Sequence, residues 1–363
     1  MNSFRRDLIK PVVTQLEAYD PYKRPGQVKL DANEHPFELP PMVHEAVMQA
    51  LAAQPINRYP DPSAESLRRT LAKRLDVVPD MLLLGNGSDE LVQMVLMACG
   101  VQGAAVLTPT PTFSMYRIGA QILDQQAVEV PLTAEWELDM PQMLAVVERD
   151  RPRVTFLATP NNPTANCFAG EALRQLIEAS PGVVVVDEAY HAFSGQTVLP
   201  LLTTYPHLLV FRTLSKVGMA GLRVGILIGD PELIRQIDKV RLPYNLNSYS
   251  QVAAEVVLQH WEMIAPEFQT IIREREQLRQ RLEHIPGVTV YPSQANFLLV
   301  HVAAGGANVW ETLAAHGLLV RYFPGSAALQ NCLRITVGTS AENEVLTTAL
   351  QTIVADLQPS IRS

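Results

Sequence analysis

The stretch Val183-Val-Val-Val-Asp187-Glu-Ala-Tyr190 places four consecutive valines directly before two carboxylates. An uninterrupted run of β-branched residues is typical of a strand buried on both faces, as in parallel sheets covered by helices. Asp187, which ends the run, would lie at the carboxyl end of this strand, where ligands bind in open α/β sheets. This stretch therefore predicts a doubly covered α/β fold with a polar site at one sheet edge.

Similar apolar runs recur on both sides of this strand, and stretches with helical spacing separate several of them. The predicted strands are Met81–Leu84, Ala104–Leu107, Ala127–Val130, Val154–Ala158, Val183–Asp187, Leu208–Arg212 and Val224–Ile228. The predicted helices between them are Glu90–Cys99, Met115–Ile122, Met140–Glu148 and Ala172–Glu178. This alternation indicates a mostly parallel seven-stranded sheet with helices on both faces.

The chain has 363 residues, which is long for one compact core, so two domains are expected. Residues 1–40 are rich in proline and predict an arm that packs on the small domain and on a partner subunit; residues 41–262 form the large domain. A helical pattern from Gln251 to His284 leads into a smaller α/β domain over residues 263–363. Its predicted elements are Ala295–His301, Val309–His316, Leu318–Arg321, Cys332–Thr336 and Ala341–Leu357.

Composition argues against several classes of protein. Hydrophobic residues make up 47% of the chain and charged residues 18%, which is typical of a soluble globular protein. The net charge of −8 is spread along the sequence, so we expect no nucleic-acid partner. The sequence shows neither a long uncharged apolar run nor a secretory signal, so we expect no membrane contact. Three cysteines without CxxC spacing favour the cytoplasm.

A lysine follows the strand after Asp187, in Thr213-Leu-Ser-Lys216-Val-Gly-Met-Ala-Gly-Leu-Arg223. A lysine amine can condense with an aldehyde cofactor once nearby cations and desolvation lower its pKa. Ser215 and Arg223 are suited to holding a phosphate, the arginine with bidentate geometry. An isolated lysine in such a loop is more often a surface residue. The polar motifs that follow other strands of the same sheet favour the chemical interpretation here.

Asp187 would be partly desolvated, and an unpaired carboxylate in such a place is costly. A protonated pyridine nitrogen is one candidate partner, and Mg²⁺ is another, although the chain lacks the GxxxxGK[ST] loop of nucleotide hydrolases. Tyr190 is a candidate donor to a phenolic oxygen, with simple packing as the alternative. The loop Ala158-Thr-Pro160-Asn-Asn162-Pro163-Thr164 follows another strand and presents an asparagine amide.

Two more loops follow predicted strands. Gly85-Asn-Gly87-Ser88-Asp89-Glu90 predicts a phosphate cradle at a helix start, while a plain helix cap at Ser88 explains the same residues. Glu90 occupies the third glycine position of a dinucleotide fingerprint, which argues against that motif. Thr110-Pro-Thr-Phe113-Ser-Met-Tyr116 offers Phe113 for stacking on a flat ring or for core packing. No histidine pair has metal-ligand spacing and no GxSxG elbow occurs.

The order and spacing of these motifs are more specific than any single one. The succession GNGSDE, PTFxxY, PNNPT, VVVDEAY, SK, AGLRVG and CLRITVG resembles the fold-type I pyridoxal-phosphate aminotransferases along nearly the whole chain. Three stretches resemble the histidinol-phosphate aminotransferases among them, namely Tyr19-Asp-Pro-Tyr22, Leu30-Asp-Ala-Asn33-Glu34-His35-Pro36 and Asn57-Arg-Tyr59-Pro60-Asp61. The resemblance implies transfer of an amino group from L-histidinol phosphate to 2-oxoglutarate, in histidine biosynthesis.

The resemblance also implies a role for each candidate residue. Lys216 would hold pyridoxal 5′-phosphate as a Schiff base and shuttle a proton, and Asp187 would keep the ring nitrogen protonated. Asn162 and Tyr190 would bond the phenolic oxygen, and Phe113 would stack on the ring. The cofactor phosphate would be bound by Ser88, Asp89, Ser215, Arg223 and, across a homodimer interface, Tyr59. The substrates would be bound by Tyr22, Asn33, Tyr59, Arg321 and Arg334.

Two departures from the family pattern are Ala165, where glycine is usual, and His35, where asparagine is usual. Within the same fold, the alternatives are an aromatic-amino-acid aminotransferase and a threonine-phosphate decarboxylase; the arm with Tyr22 favours histidinol phosphate. A cofactor-binding regulator would need a fused DNA-binding module, for which 363 residues leave no room. A nicotinamide dehydrogenase is disfavoured by Glu90 in the glycine loop.

Overall fold

A computed structural model of the chain describes residues 8–16 and 28–357. The strands in these ranges are β1 Val28–Lys29, β2 Leu82–Asn86, β3 Ala105–Thr110, β4 Gln126–Pro131, β5 Val154–Ala158, β6 Val183–Asp187, β7 Leu208–Thr213, β8 Val224–Gly229, β9 Val288–Val290, β10 Phe297–Val302, β11 Leu318–Leu319, β12 Arg321–Tyr322 and β13 Cys332–Thr336. The helices are α1 Pro11–Thr14, α2 Pro41–Ala52, α3 Glu65–Leu75, α4 Ser88–Cys99, α5 Met115–Ile122, α6 Met140–Asp150, α7 Gly170–Ala179, α8 His191–Ser194, α9 Pro231–Asp238, α10 Ser248–Gln259, α11 Ala265–Glu283, α12 Gly306–Ala315 and α13 Ser340–Leu357.

Seven strands form the large sheet, in the order β2-β8-β7-β6-β5-β3-β4. All of them are parallel except β8, which runs antiparallel to both of its neighbours. Along β6, Val184 and Val186 pack into the core on one face, whereas Val185 packs into the core on the other. Each predicted strand overlaps an observed one, and the predicted mostly parallel, doubly covered sheet is confirmed.

Four strands form the small sheet, in the antiparallel order β12-β13-β10-β9. Helices α11, α12 and α13 cover it with residues such as Leu278, Leu313 and Leu350. Helix α11 reaches both cores, because Phe268 near its start packs on the large-sheet side. The predicted helical pattern from Gln251 to His284 is divided between α10 and α11, and Pro266 lies in the first turn of α11, where proline is tolerated. Strand β9 has only three residues and was not predicted.

The described part of the arm joins the two sheets. Strand β1 pairs in parallel with β11, and Leu30 packs in the small-sheet core. Lys10, just before α1, pairs with Asp124 of the large-sheet region at 2.7 Å. Helices α2 and α3, between the arm and the first strand of the large sheet, were not predicted. Among the helices in the described ranges, none has the length and apolar character needed to cross a membrane.

Candidate active site

The polar loops meet at one edge of the large sheet, because the carboxyl ends of parallel strands lie side by side. The PNNPT loop follows β5, Asp187 ends β6, and the Lys216 turn follows β7. Strand β2 runs parallel to β7, since both are antiparallel to β8, so the glycine turn at residues 85–90 opens at the same edge. The structure therefore brings together loops that are far apart in sequence.

Lys216 lies in an irregular helical turn, Ser215–Met219, between β7 and β8. Its Nζ donates a hydrogen bond to the carbonyl oxygen of Ala32 at 3.1 Å and lies 5.7 Å from the centre of the Tyr190 ring. Burial, and after it the charge of Arg334, lowers the pKa of Lys216 to about 8. A lysine in this state has an appreciable neutral fraction at neutral pH, which a nucleophilic amine needs.

Asp187 is only 5% exposed. Tyr116 Oη donates to its Oδ2 at 2.7 Å, and the backbone N–H of Ala189 donates to its Oδ1 at 3.0 Å. Burial raises the pKa of Asp187 to about 6 in spite of these two hydrogen bonds. No ion pair within residues 8–16 and 28–357 involves this carboxylate. A cationic group of a ligand would therefore be well placed to compensate its charge.

The start of α4 and Arg223 lie together as a candidate anion cradle. Gly87 is the N-cap residue and no side chain caps the helix, which contradicts the interpretation of Ser88 as a plain cap. The first N–H groups of α4 are thus available to an anion. Arg223 Nη1 donates to Ser215 Oγ at 3.2 Å, and its Nη2 lies 3.7 Å from Asp89 Oδ2. A Cβ atom on Gly87 would collide with Arg223 Nη2, so a larger residue there would displace the guanidinium from the helix start.

Tyr190 and Asn162 are held by residues from the arm and the small sheet. Tyr190 is buried, and its Oη accepts a hydrogen bond from Asn33 Nδ2 at 2.9 Å. Asn162 Oδ1 accepts from Arg334 Nη1 at 2.7 Å, so the amide nitrogen of Asn162 is the atom that remains to donate to a ligand. The amide oxygen of Asn33 accepts from Thr336, so in this arrangement Asn33 orients Tyr190.

Arg321 and Arg334 lie directly opposite each other on β12 and β13, and their side chains share one face of the small sheet. Two cations in this position repel each other unless an anion or carbonyl groups compensate them. Arg334 also donates to the carbonyl oxygen of Asp31. Arg321 lines a cavity of about 390 Å³ together with Asp31, Trp310 and Tyr322. The pair is therefore suited to a ligand that carries negative charge.

The predicted aromatic residues occupy different environments. Phe113 is half-buried, and its ring meets the Tyr116 ring edge-on at 5.5 Å. Tyr59 is 81% exposed and stacks on Tyr244 at 4.5 Å. Tyr59 and Arg223 are the exposed residues among the predicted site residues that lie in the described ranges. Tyr22 lies outside the described residues.

Comparisons with known proteins identify the family of the chain. Residues 25–350 match the family model of aminotransferase class I and II. The chain belongs to this aminotransferase family. It is 45% identical to histidinol-phosphate aminotransferase 2 of Nitrosococcus oceani, over 94% of this chain and 96% of that protein. It is 38% identical to the histidinol-phosphate aminotransferase of Aquifex aeolicus, over 98% and 100%.

The fold of this aminotransferase also matches a solved structure. The histidinol-phosphate aminotransferase of Sinorhizobium meliloti, in complex with pyridoxal-5′-phosphate, superposes with a TM-score of 0.87 at 25% identity and covers 98% of this chain and 99% of its own. The predicted fold-type I architecture and the predicted family are thereby confirmed.

The sequence analysis of this aminotransferase predicted no role for two buried polar residues at the edge of the site, Tyr116 and Asn161. Tyr116 bonds Asp187, and its place in the PTFxxY motif was the available signal. Asn161 is fully buried; it donates to the carbonyl oxygen of Pro111 at 2.9 Å and accepts from Thr112 at 2.6 Å. These bonds tie the loop after β5 to the loop after β3, a long-range pairing that no local pattern shows.

The two family departures have structural correlates. Ala165 is buried with a φ of 68°, in the left-handed region, which explains why glycine is usual at this position. His35 is buried against the Phe37 and Phe268 rings, and its Nε2 lies 3.5 Å from Glu267 Oε2. Burial lowers the pKa of His35, which favours its neutral form. The side chain thus packs between the arm and α11.

Proposed function

We propose that this aminotransferase uses pyridoxal 5′-phosphate to transfer the amino group of L-histidinol phosphate to 2-oxoglutarate, giving imidazole acetol phosphate and glutamate. The observation that carries the proposal is the similarity, over almost the whole chain, to the Nitrosococcus oceani and Aquifex aeolicus proteins that bear the name of this reaction. The geometry of the site supports the cofactor and the anionic substrate by separate arguments.

The residues at the sheet edge fit each part of the cofactor. The uncapped start of α4, with Arg223 and Ser215 beside it, suits a phosphate group. The buried Asp187 carboxylate, which no cation of the described chain pairs, suits a protonated ring nitrogen. The amide nitrogen of Asn162 and the Tyr190 hydroxyl suit a phenolic oxygen. When bound, pyridoxal phosphate supplies an electron sink for the carbanion at the substrate α-carbon.

Lys216 and Asp187 supply the two protonation states that the reaction requires. Because the pKa of Lys216 is lowered to about 8, its Nζ can take up and return a proton near neutral pH. Because the pKa of Asp187 is about 6, its carboxylate is mostly ionised at neutral pH and can hold a proton on a neighbouring ring nitrogen. The lysine is thus the acid–base group, and the aspartate keeps the ring nitrogen of the cofactor protonated.

The arginine pair supports an anionic substrate. Arg334 lies beside Asn162, which places the small sheet within hydrogen-bond reach of the PNNPT loop. We infer that Arg321 and Arg334 hold the phosphate of histidinol phosphate, and that Arg334 holds a carboxylate of glutamate in the second half-reaction. Tyr22 and Asn33 remain proposed substrate neighbours, with Asn33 acting through Tyr190.

We infer a homodimer from the apolar surface around Tyr59. Large apolar side chains that are exposed on α2, after it and before α10 are Met42, Met48, Ile56, Tyr59, Leu242 and Tyr244. Helices α2 and α10 pack against each other, so these residues belong to one region of the surface. Exposed apolar side chains grouped in one region are typical of a contact with another protein chain. A second copy would bury it and bring Tyr59 to the phosphate of the neighbouring site.

The cofactor is tested by a Lys216→Ala variant. Wild-type protein mixed with pyridoxal phosphate should gain a visible absorbance band, and borohydride should bleach the band and fix the cofactor mass on the peptide that contains Lys216. Lys216→Ala should show neither effect and should lose transaminase activity by at least about 10³-fold. Lys239→Ala, at an exposed lysine, is the matched control and should behave as wild type. A wild-type protein that gains no band would refute the cofactor assignment.

The substrate is tested on the same loaded protein by comparing half-reaction efficiencies with histidinol phosphate, phenylalanine, tyrosine and threonine phosphate. Histidinol phosphate should react most efficiently. Faster reaction of phenylalanine or tyrosine would identify an aromatic-amino-acid aminotransferase instead, and release of CO₂ from threonine phosphate would identify a decarboxylase. Either result would leave the cofactor assignment intact.

A further inference from the structure

Tyr116 is completely buried, and its packing contacts are made by the aromatic ring and not by the hydroxyl group. The ring stacks on Phe156 with a centroid distance of 4.6 Å and an interplanar angle of 3°, and it meets Phe113 edge-on. A phenylalanine would make the same ring contacts. The hydroxyl is therefore the informative atom, because a buried hydroxyl requires a hydrogen-bond partner and this one has Asp187 Oδ2 at 2.7 Å.

The charges around Asp187 show why this hydrogen bond matters. Asp89 on α4 and Glu188, which follows Asp187 in the chain, both disfavour its ionised form. Arg212 forms an ion pair with Glu188 at 2.7 Å and not with Asp187. On the neighbouring strands, Ala158 and Phe211 stand opposite Asp187 and bring no charge. Only the Tyr116 hydroxyl and one backbone N–H stabilise the carboxylate within the described chain.

We propose that Tyr116 is a positioning residue whose hydroxyl keeps the Asp187 carboxylate ionised and aimed at the cofactor's ring nitrogen. This inference rests on the proposed function, since it concerns the same cofactor. Donation from Tyr116 to Oδ2, together with the Ala189 N–H on Oδ1, fixes the rotation of the carboxyl group. The same ring touches Phe113, the proposed stacking residue. Tyr116 would therefore support the two residues that contact the cofactor, Asp187 and Phe113, without contacting the cofactor itself.

The test is the pH dependence of pyridoxal-phosphate affinity, measured on apoprotein of wild type and Tyr116→Phe. Loss of a hydrogen bond to a charged group should raise the dissociation constant at neutral pH roughly tenfold. It should also move the acid-side loss of affinity upward by about one pH unit, because Asp187 then takes up a proton more readily. Tyr205→Phe is the matched control: it removes a phenol–carboxylate hydrogen bond of 2.6 Å to Glu178 at the surface, and it should match wild type.

Rescue separates the hydrogen bond from packing. Tyr116→His restores a donor with a smaller ring, so its acid-side midpoint should lie below that of Tyr116→Phe even if the protein is less stable. A midpoint at or above that of Tyr116→Phe would overturn the proposal, as would a Tyr116→Phe variant with unchanged affinity or with a loss that is equal at every pH. A wild-type protein that binds no pyridoxal phosphate at any pH would instead refute the proposed function.

Discussion

Asp187 faces opposite demands from folding and from chemistry. Burial raises its pKa from 3.8 to about 6, so the folded chain holds a proton on it more tightly than the unfolded chain does. Its contribution to stability is therefore most favourable below about pH 4, and it declines as the pH rises through the window between the two pKa values. Above that window the apoprotein carries the buried negative charge of Asp187, which destabilises the fold but which the proposed reaction requires.

This conflict predicts that Asp187→Asn stabilises the apoprotein. An asparagine can accept from the Ala189 N–H and donate to the Tyr116 hydroxyl, so both partners remain satisfied. The free energy of unfolding at neutral pH should rise by on the order of 1 to 3 kcal/mol, and the gain should vanish below about pH 4. Transaminase activity should fall at least about 100-fold. Urea denaturation of both apoproteins at the two pH values measures the effect; an equal gain in acid would contradict it.

At the residue scale, the sequence predicted which residues carry the chemical groups better than it predicted the hydrogen bonds that hold those residues in place. Asp187 was predicted because an apolar strand that ends in a carboxylate is visible in one short stretch. The bonds between Tyr116 and Asp187, and between Arg334 and Asn162, join residues that are 71 and 172 positions apart. No local pattern encodes such distances, so these contacts needed the fold.

At the scale of elements, the turn between β2 and α4 determines whether Arg223 can lie beside the helix start. Gly87→Ala would place a methyl group 2.4 Å from Arg223 Nη2 at a φ of +82°. We expect the affinity of the apoprotein for pyridoxal phosphate to fall at least about tenfold, because the arginine must move away from the cradle. Titration of the apoprotein measures this change.

Gly103→Ala is the control for the backbone effect. Gly103 has a similar φ of +76°, but no atom lies within 4 Å of the added methyl group. Both variants should lose on the order of 1 to 3 kcal/mol of stability from the positive φ, whereas only Gly87→Ala should lose cofactor affinity. Equal affinities in the two variants would show that the steric contact with Arg223 is unimportant.

The sheet elements were predictable to different degrees for a physical reason. The strands of the large sheet are buried on both faces, which requires the continuous β-branched runs that the sequence displays. The same burial conceals strand direction, so the antiparallel orientation of β8 was not visible. Strand β1 has two residues, too few for any periodicity, whereas β11 and β12 overlap the predicted element Leu318–Arg321, which did not show where the two strands divide. Their positions depend on pairing between distant segments.

At the scale of the whole molecule, the exposed apolar surface around Tyr59 predicts that activity depends on dimerisation. Ile56→Asp places a charge at a residue that is 85% exposed, so the folding of one protomer should be little affected. The variant should sediment as a monomer and should lose most transaminase activity, because Tyr59 can no longer reach a neighbouring site. Analytical ultracentrifugation and steady-state rates measure both.

Val345→Asp is the control for a charge at an exposed valine away from this surface. Val345 is 52% exposed on α13, which covers the small sheet. This variant should remain a fully active dimer. A monomeric Ile56→Asp with full activity would show that each site is complete within one chain.

The overall organisation followed from the order of the motifs, because each lies after a different strand and parallel strands bring their ends together. What the order could not show is how the small sheet and the arm approach that edge. Arg334 bonds both the PNNPT loop and the arm, and this arrangement depends on the packing of α11 between the two cores.

The arm segment between β1 and Pro36 meets a different part of the molecule at each of four successive residues. Leu30 packs in the small-sheet core, Asp31 accepts from Arg334, Ala32 accepts from Lys216, and Asn33 donates to Tyr190. The two middle contacts use backbone carbonyls, which any amino acid provides. Substitutions there would keep those contacts, whereas deleting one residue would shift all four out of step. Natural selection should therefore conserve the length of this segment more strictly than the identity of its amino acids. Insertions should be absent from it in functional descendants of this gene.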